Sequence, residues 1–149
     1  ALVGLIGAAS IIGRLALGTV ADRVGVLRTY QGCFLLMAVS FALWLGSPSY
    51  ARLALFAVLL GVGYGGFVAL GPPLVAELFG VRGLGGLLGV LYTSSALGSA
   101  FGPPLAGAVI QSTGGYLIVI LGSLIVGVLA TWAVLAVRAP TSALTAMGE

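Results

Sequence analysis

Between Arg28 and Arg52 the chain carries no charged residue, and between Arg82 and Arg138 it again carries none. Runs of that length cannot cover themselves with polar side chains in water. Only 6% of the 149 residues are charged, against about 25% in a soluble domain. A lipid bilayer is therefore the expected solvent. Its hydrocarbon core, about 30 Å thick, needs about 20 apolar residues in a helix. Five runs qualify or nearly do: roughly 1–20, 29–46, 51–76, 84–111 and 115–137. They do not show the alternation of a transmembrane strand. The expected fold class is all-α, a polytopic membrane bundle of five transmembrane helices.

The connections are short: ADRVGVLR, GSPSY, ELFGVRG and QSTGG. Short loops make successive helices antiparallel neighbours. Arg23, Arg28, Arg82 and Arg138 then share one side of the membrane, and Arg52 lies on the other. Positive residues mark the cytoplasmic side, so the C-terminus is expected there. The membrane is expected to be a plasma membrane, or the inner membrane in a bacterium. The chain opens at Ala1 inside an apolar run, without an initiator Met, a basic n-region or a cleavage site. It reads as a piece whose upstream part is missing. Residues 1–138 form a partial bundle on this reading, and 139–149 a polar cytoplasmic tail.

Several functions are disfavoured. The basic balance comes from six scattered arginines, with no lysine and no histidine, so no clustered face for nucleic acid is expected. The acids Asp22, Glu77 and Glu149 sit at or beyond the interface. No paired carboxylates or nucleophile–base arrangement can be built from them, so an enzyme is not expected. The glycines follow hydrophobic helices rather than a strand, so no cofactor is expected. Cys33 is the only cysteine. It excludes an internal disulfide or a cysteine metal site and reads as a small buried hydrophobe.

Arg14 is the exception inside the first run. It lies eight residues before Asp22, roughly 12 Å deeper than the interface, close to the midplane. A cation there costs about 2.5 kcal/mol or more and normally faces the bundle interior or a water-filled cavity. Gly7, Ser10, Arg14 and Gly18 recur at spacings of three and four, so they share a face with room beside the guanidinium. That fork of donors suits a carboxylate. A structural role, pairing with an acid elsewhere or capping helix carbonyls, is the alternative.

Other features leave two readings each. Tyr92, Ser95 and Ser99 form a mildly polar stripe on the fourth span, which could line a wet path or bond between helices. Tyr64 and Phe67, in GVGYGGF, could shape a pocket or fill a core. The pairs Gly61 with Gly65, Gly85 with Gly89 and Gly98 with Gly102 suit close helix packing. GPP occurs twice, placing Pro72, Pro73, Pro103 and Pro104 within spans, where proline removes backbone bonds and kinks a helix. The kinks could be static or could serve gating.

GTVADRVG, residues 18–25, resembles the G-x-x-x-D-R-x-G loop between the second and third helices of each half of major facilitator transporters. GRLALGTVADRVG and the later GSAFGPPLAGAVIQSTGGY resemble, in order and spacing, the second half of monocarboxylate-transporter-like members, with oxalate/formate antiporters as near relatives. The resemblance implies that the spans are helices eight to twelve of a twelve-helix protein. Helix seven and the N-terminal half would then be missing. It implies that Arg14 contacts a substrate carboxylate. Ser10 stands where some symporters carry a proton-coupling aspartate, and Ser95 near where oxalate-type antiporters carry a lysine. One cation rather than two favours a monocarboxylate. Asp22, Arg23, Arg28, Glu77 and Arg82 would form a gate latch, or else simply set topology.

The expected function is thus secondary transport of a small carboxylate by alternating access, with the bilayer and the missing N-terminal half as partners. A major facilitator carrier of drugs or other solutes is the alternative. So is a membrane scaffold or receptor subunit that does not transport.

Overall fold

The computed structural model describes residues 2–45 and 49–137. Arg138 and the polar tail at 139–149 lie outside the described residues, as do Ala1 and 46–48. Five helices follow one another: α1 Leu2–Val24, α2 Val26–Trp44, α3 Tyr50–Phe79, α4 Leu84–Thr113 and α5 Leu117–Ala136. All five are long and apolar enough to cross a membrane, and no strand occurs among the described residues. At 1.5 Å per residue, the 30 residues of α3 and of α4 span about 45 Å each. Both therefore extend past the hydrocarbon or lie tilted in it.

The first connection is far shorter than the sequence suggests. ADRVGVLR was expected as a loop, yet only Gly25 separates α1 from α2. Helix persists to Val24 and resumes at Val26 because intrahelical bonds satisfy the backbone at the edge of the bilayer. The reversal is concentrated at Gly25, whose φ of 101° requires a residue without Cβ. Thr29 Oγ1 donates back to the Gly25 carbonyl at 2.9 Å.

Helix α3 is the centre of the bundle, packed against α1, α2 and α4. Glycines make this possible. A Cβ on Gly61 would lie 2.8 Å from the Ala9 Cβ, and one on Gly13 would lie 2.7 Å from the Val62 Cα. Gly65 abuts the backbone of Ser10, while Gly63 and Gly66 face Met37 and Cys33 of α2. Where the surroundings are as apolar as the side chains, such close approach is what holds helices together. The stretch GVGYGG thus serves two seams at once. Below it, Ala21, Tyr30, Cys33, Leu70 and Leu74 form a core from three helices. Cys33 is 1% exposed there, as expected of a small buried hydrophobe.

The last helix is held by a polar clamp. Gln31 Nε2 on α2 donates to the carbonyls of Val134 and Val137 at 3.1 and 3.3 Å, at the end of α5, where the Val134 carbonyl also accepts from the Val137 N–H at 3.2 Å. The same bonds place the C-terminal end of α5 beside the N-terminal end of α2. Gln31→Leu is expected to lower stability by about 1 kcal/mol, in the range of interhelical bonds in membranes. A fall of a few degrees in melting temperature in detergent would record it, and an unchanged transition would show the clamp to be idle.

Helix α4 differs from the rest: none of its residues is buried, and it touches only α3 and α5. Gly71 of α3 meets Leu91 of α4 at 3.8 Å. By contrast, Gly85, Gly89, Gly98 and Gly102 meet no other helix. Close packing at four-residue spacing therefore holds for Gly61 and Gly65, but not for the α4 pairs among the described residues. Helix runs through both GPP motifs. The missing proline amides leave the carbonyls of Val68, Ala69, Ser99 and Ala100 without their usual donors.

Candidate functional site

Arg14 lies about 15 Å from the Val24 end of α1 and about 18 Å from the Leu2 end. That is the middle of the span. The seam with α3 takes up Ala9, Ser10, Gly13 and Leu17. Arg14 is offset from it and exposed. Gly7 and Gly18, on the same side of α1, meet nothing within 4 Å. The face expected from spacing therefore divides: Gly7, Arg14 and Gly18 stay open, while Ser10 turns into the seam at 8% exposure. Arg14 makes no side-chain hydrogen bond among the described residues; those bonds have only Ser, Thr and Gln donors.

Tyr64 occupies α3, one residue from Gly65, and is 49% exposed. It lies seven residues before Gly71, hence on the side of α3 that meets α4. Its ring is the outermost of an aromatic row: Tyr64 to Phe67 is 6.2 Å between centroids, and Phe67 to Phe34 is 5.6 Å. Phe67 belongs to the packed interior, whereas Tyr64 is its exposed rim.

Tyr92, Ser95 and Ser99 are exposed along α4. The hydroxyls of Ser95 and Ser99 have no hydrogen-bond partner among the described residues, in contrast to Ser94, which bonds back to Leu91. With the carbonyls of Ser99 and Ala100 freed by Pro103 and Pro104, this part of α4 is a polar stretch within a span. The freed carbonyls were legible in the GPP motif. Since α4 does not touch α1, Arg14 and the α4 stripe are not brought into contact.

Five charged residues collect at one end, while Arg52 lies at the other. Asp22 and Arg23 close α1, Arg28 opens α2, Glu77 closes α3, and Arg82 sits between Gly80 and Gly83. All five are exposed. Arg23, in the last turn of α1, complements the helix dipole. No hydrogen bond among the described residues joins any two of them. The N-cap of α2 is Gly25, without a side-chain cap hydrogen bond.

A second feature escaped the sequence altogether. A cavity of about 730 Å³ opens between α2, α4 and α5, remote from the charged end and walled almost wholly by apolar side chains. Its residues are scattered over three helices and share no motif.

A helical bundle with five spans, one open face bearing a cation at mid-depth and arginines gathered at one end is an integral membrane protein of the polytopic kind. The chain belongs to the major facilitator superfamily, whose model matches residues 1–149. It is 37% identical over 77% of its length to MFS-type transporter 1 of Ophiocordyceps sp., covering 26% of that protein. It is 32% identical over 77% of its length to Monocarboxylate transporter 12 of Homo sapiens, covering 23%. It is 29% identical over 78% to Aspyridones efflux protein apdF of Emericella nidulans, covering 24%. The chain thus spans about a quarter of the length of these curated relatives. No solved structure matches it.

Proposed function

We propose that the protein carrying this chain is a secondary transporter that moves a small monocarboxylate across the membrane by alternating access, with Arg14 as the carboxylate ligand. The observation that carries this reading is the exposed guanidinium at the middle of α1, on an open face, with no acid at its depth among the described residues. An unpaired charge resists dehydration strongly. A cavity lined by Arg14 can close over a bound anion far more readily than over nothing. Binding is thereby tied to movement, as in carriers whose site lies at the midplane between two rocking bundles.

On this reading Tyr64, Tyr92 and Ser95 shape the cavity, and Ser10 supports α1 from the seam without touching the solute. Asp22, Arg23, Arg28, Glu77 and Arg82 are the latch, open in this conformation. Pro72, Pro73, Pro103 and Pro104 give α3 and α4 their bending points. The five helices are then the eighth to twelfth of twelve, in a plasma or bacterial inner membrane, with the C-terminus in the cytoplasm. The relative named for monocarboxylates supports the ligand class; the relative named for aspyridones efflux favours a second reading, export of a drug or other solute.

The test is uptake by the purified whole protein in proteoliposomes. Labelled lactate or formate is expected to accumulate and to be competed by other monocarboxylates. Transport of an uncharged solute that these acids do not inhibit would overturn the carboxylate reading. Accessibility supplies an independent check in a Cys33→Ala background. Gly18→Cys is expected to react with a water-soluble thiol reagent and Ser10→Cys to react at least about tenfold more slowly. Protection of both positions would favour a scaffold without an aqueous path.

A further inference from the structure

We infer that Phe67 is a positioning residue for the carboxylate site: set in place by Tyr30 and Phe34 of α2, it holds the ring of Tyr64 level with Arg14 and on the same side of the α1–α3 seam. This role rests on the proposed carboxylate reading, and Phe67 acts on the solute only through Tyr64.

The seam fixes the level. Gly13 meets Val62, and Leu17 meets Gly66. Residues 62–66 of α3 therefore lie beside residues 13–17 of α1, and Tyr64 lies within about one turn of Arg14. The two helices run the same way, since Ile6 and Ala9 meet Gly61 towards one end of the seam and Leu17 meets Gly66 towards the other. Successive residues turn by about 100°. Arg14 comes one step after Gly13 on α1, and Tyr64 one step before Gly65 on α3. In parallel helices, a step forward from the contact on one and a step back on the other turn to the same side. Both side chains are exposed there, while the α2 contacts of Gly63 and Gly66 lie on the other flank of α3.

Tyr64 has little support of its own. Gly61 and Gly65, on its flank towards the seam, offer no side chain. Among the ring pairs of the described residues, its partner is Phe67, at 6.2 Å and 33°. Phe67 comes three residues later, and helical side chains lean towards the preceding turn, so its ring lies against Tyr64. Phe67 is set in turn from α2: edge-on to Phe34 at 5.6 Å and 82°, and against Tyr30 at 5.8 Å. Tyr30 and Phe34 meet each other at 5.2 Å, and Tyr30 belongs to the buried core. Ring pairs prefer defined tilts, so these contacts fix an angle as well as a place. A ring already held at the rim need not be ordered when the solute arrives, which raises affinity.

The test uses the purified whole protein in proteoliposomes, with labelled lactate as the solute and 3-fluorotyrosine placed at position 64. Phe67→Leu is expected to raise KM at least about fivefold with Vmax within about twofold, and to broaden or shift the fluorine signal of residue 64. Phe34→Leu removes the edge contact from the other helix and is expected to act in the same direction; it serves if Phe67→Leu does not fold. Leu74→Ala, elsewhere in the same core, is expected to lower the melting temperature while leaving KM and the fluorine signal alone. An unchanged KM in the Phe67 and Phe34 variants, or an equal rise in Leu74→Ala, would overturn the positioning role. If wild type takes up no monocarboxylate, the carboxylate reading fails instead. The fluorine signal then decides whether Phe67 holds Tyr64: a signal unmoved by Phe67→Leu and Phe34→Leu would show that it does not.

Discussion

Arg14→Ala is expected to remove carboxylate uptake while leaving the protein in the membrane and folded. Truncating one partner of a buried, hydrogen-bonded charge pair costs about 2–5 kcal/mol. At tenfold per 1.4 kcal/mol, that is about 30-fold or more in apparent affinity. The fold should not suffer, because Arg14 stands outside the α1–α3 seam and its side chain makes no hydrogen bond among the described residues. Deleting a cation from mid-span even removes about 2.5 kcal/mol of insertion cost. Arg14→Lys keeps the charge but loses the two-pronged geometry, so a partial defect, mostly in KM, is expected. Uptake in proteoliposomes and size-exclusion profiles read the two effects apart. Full uptake by the alanine variant would end the carboxylate assignment. Loss of folded protein would instead identify Arg14 as a structural ion-pair member.

Gly65→Val is expected to have the largest effect on folding. The first atom of the new side chain would fall on the Ser10 backbone, which cannot swing aside as a side chain can. Overpacking a tight interface costs about 1–3 kcal/mol and occasionally more. Here α1 would have to separate from α3 along the seam that also seats Gly13 and Gly61. The measurement is the yield of monodisperse protein and its melting temperature, with Gly32→Ala as the comparison. Gly32 is exposed on α2 and meets nothing within 4 Å, so alanine there should be neutral or raise stability by up to about 1 kcal/mol. Equal behaviour of the two variants would mean that the α1–α3 contact is not what holds the bundle.

The number of helices and the membrane as solvent were legible because the apolar runs leave no other way to satisfy a backbone. Helix ends were less so. At ADRVGVLR, polar composition suggested a loop, yet composition records contact with water rather than loss of helix, and only Gly25 departs from it. The depth of Arg14 could be counted along the chain. The turning of Ser10 into the seam could not, since spacing gives a face about 100° wide and only the position of α3 divides it. Gly61 and Gly65 carry the same pattern as Gly85 and Gly89, but only the first pair meets another helix. The cavity depends on how three helices lean, which no local pattern encodes.

The single-residue joint at Gly25 has a mechanical consequence. With no slack between them, α1 and α2 cannot slide independently, and Gln31 fastens α2 in turn to the end of α5. On the proposed reading, a rotation of α1 started by a solute at Arg14 would be passed as torque to two further helices. The charged end of the bundle is then the short arm of a lever, and lengthening that joint by a few glycines would let the arms move out of step.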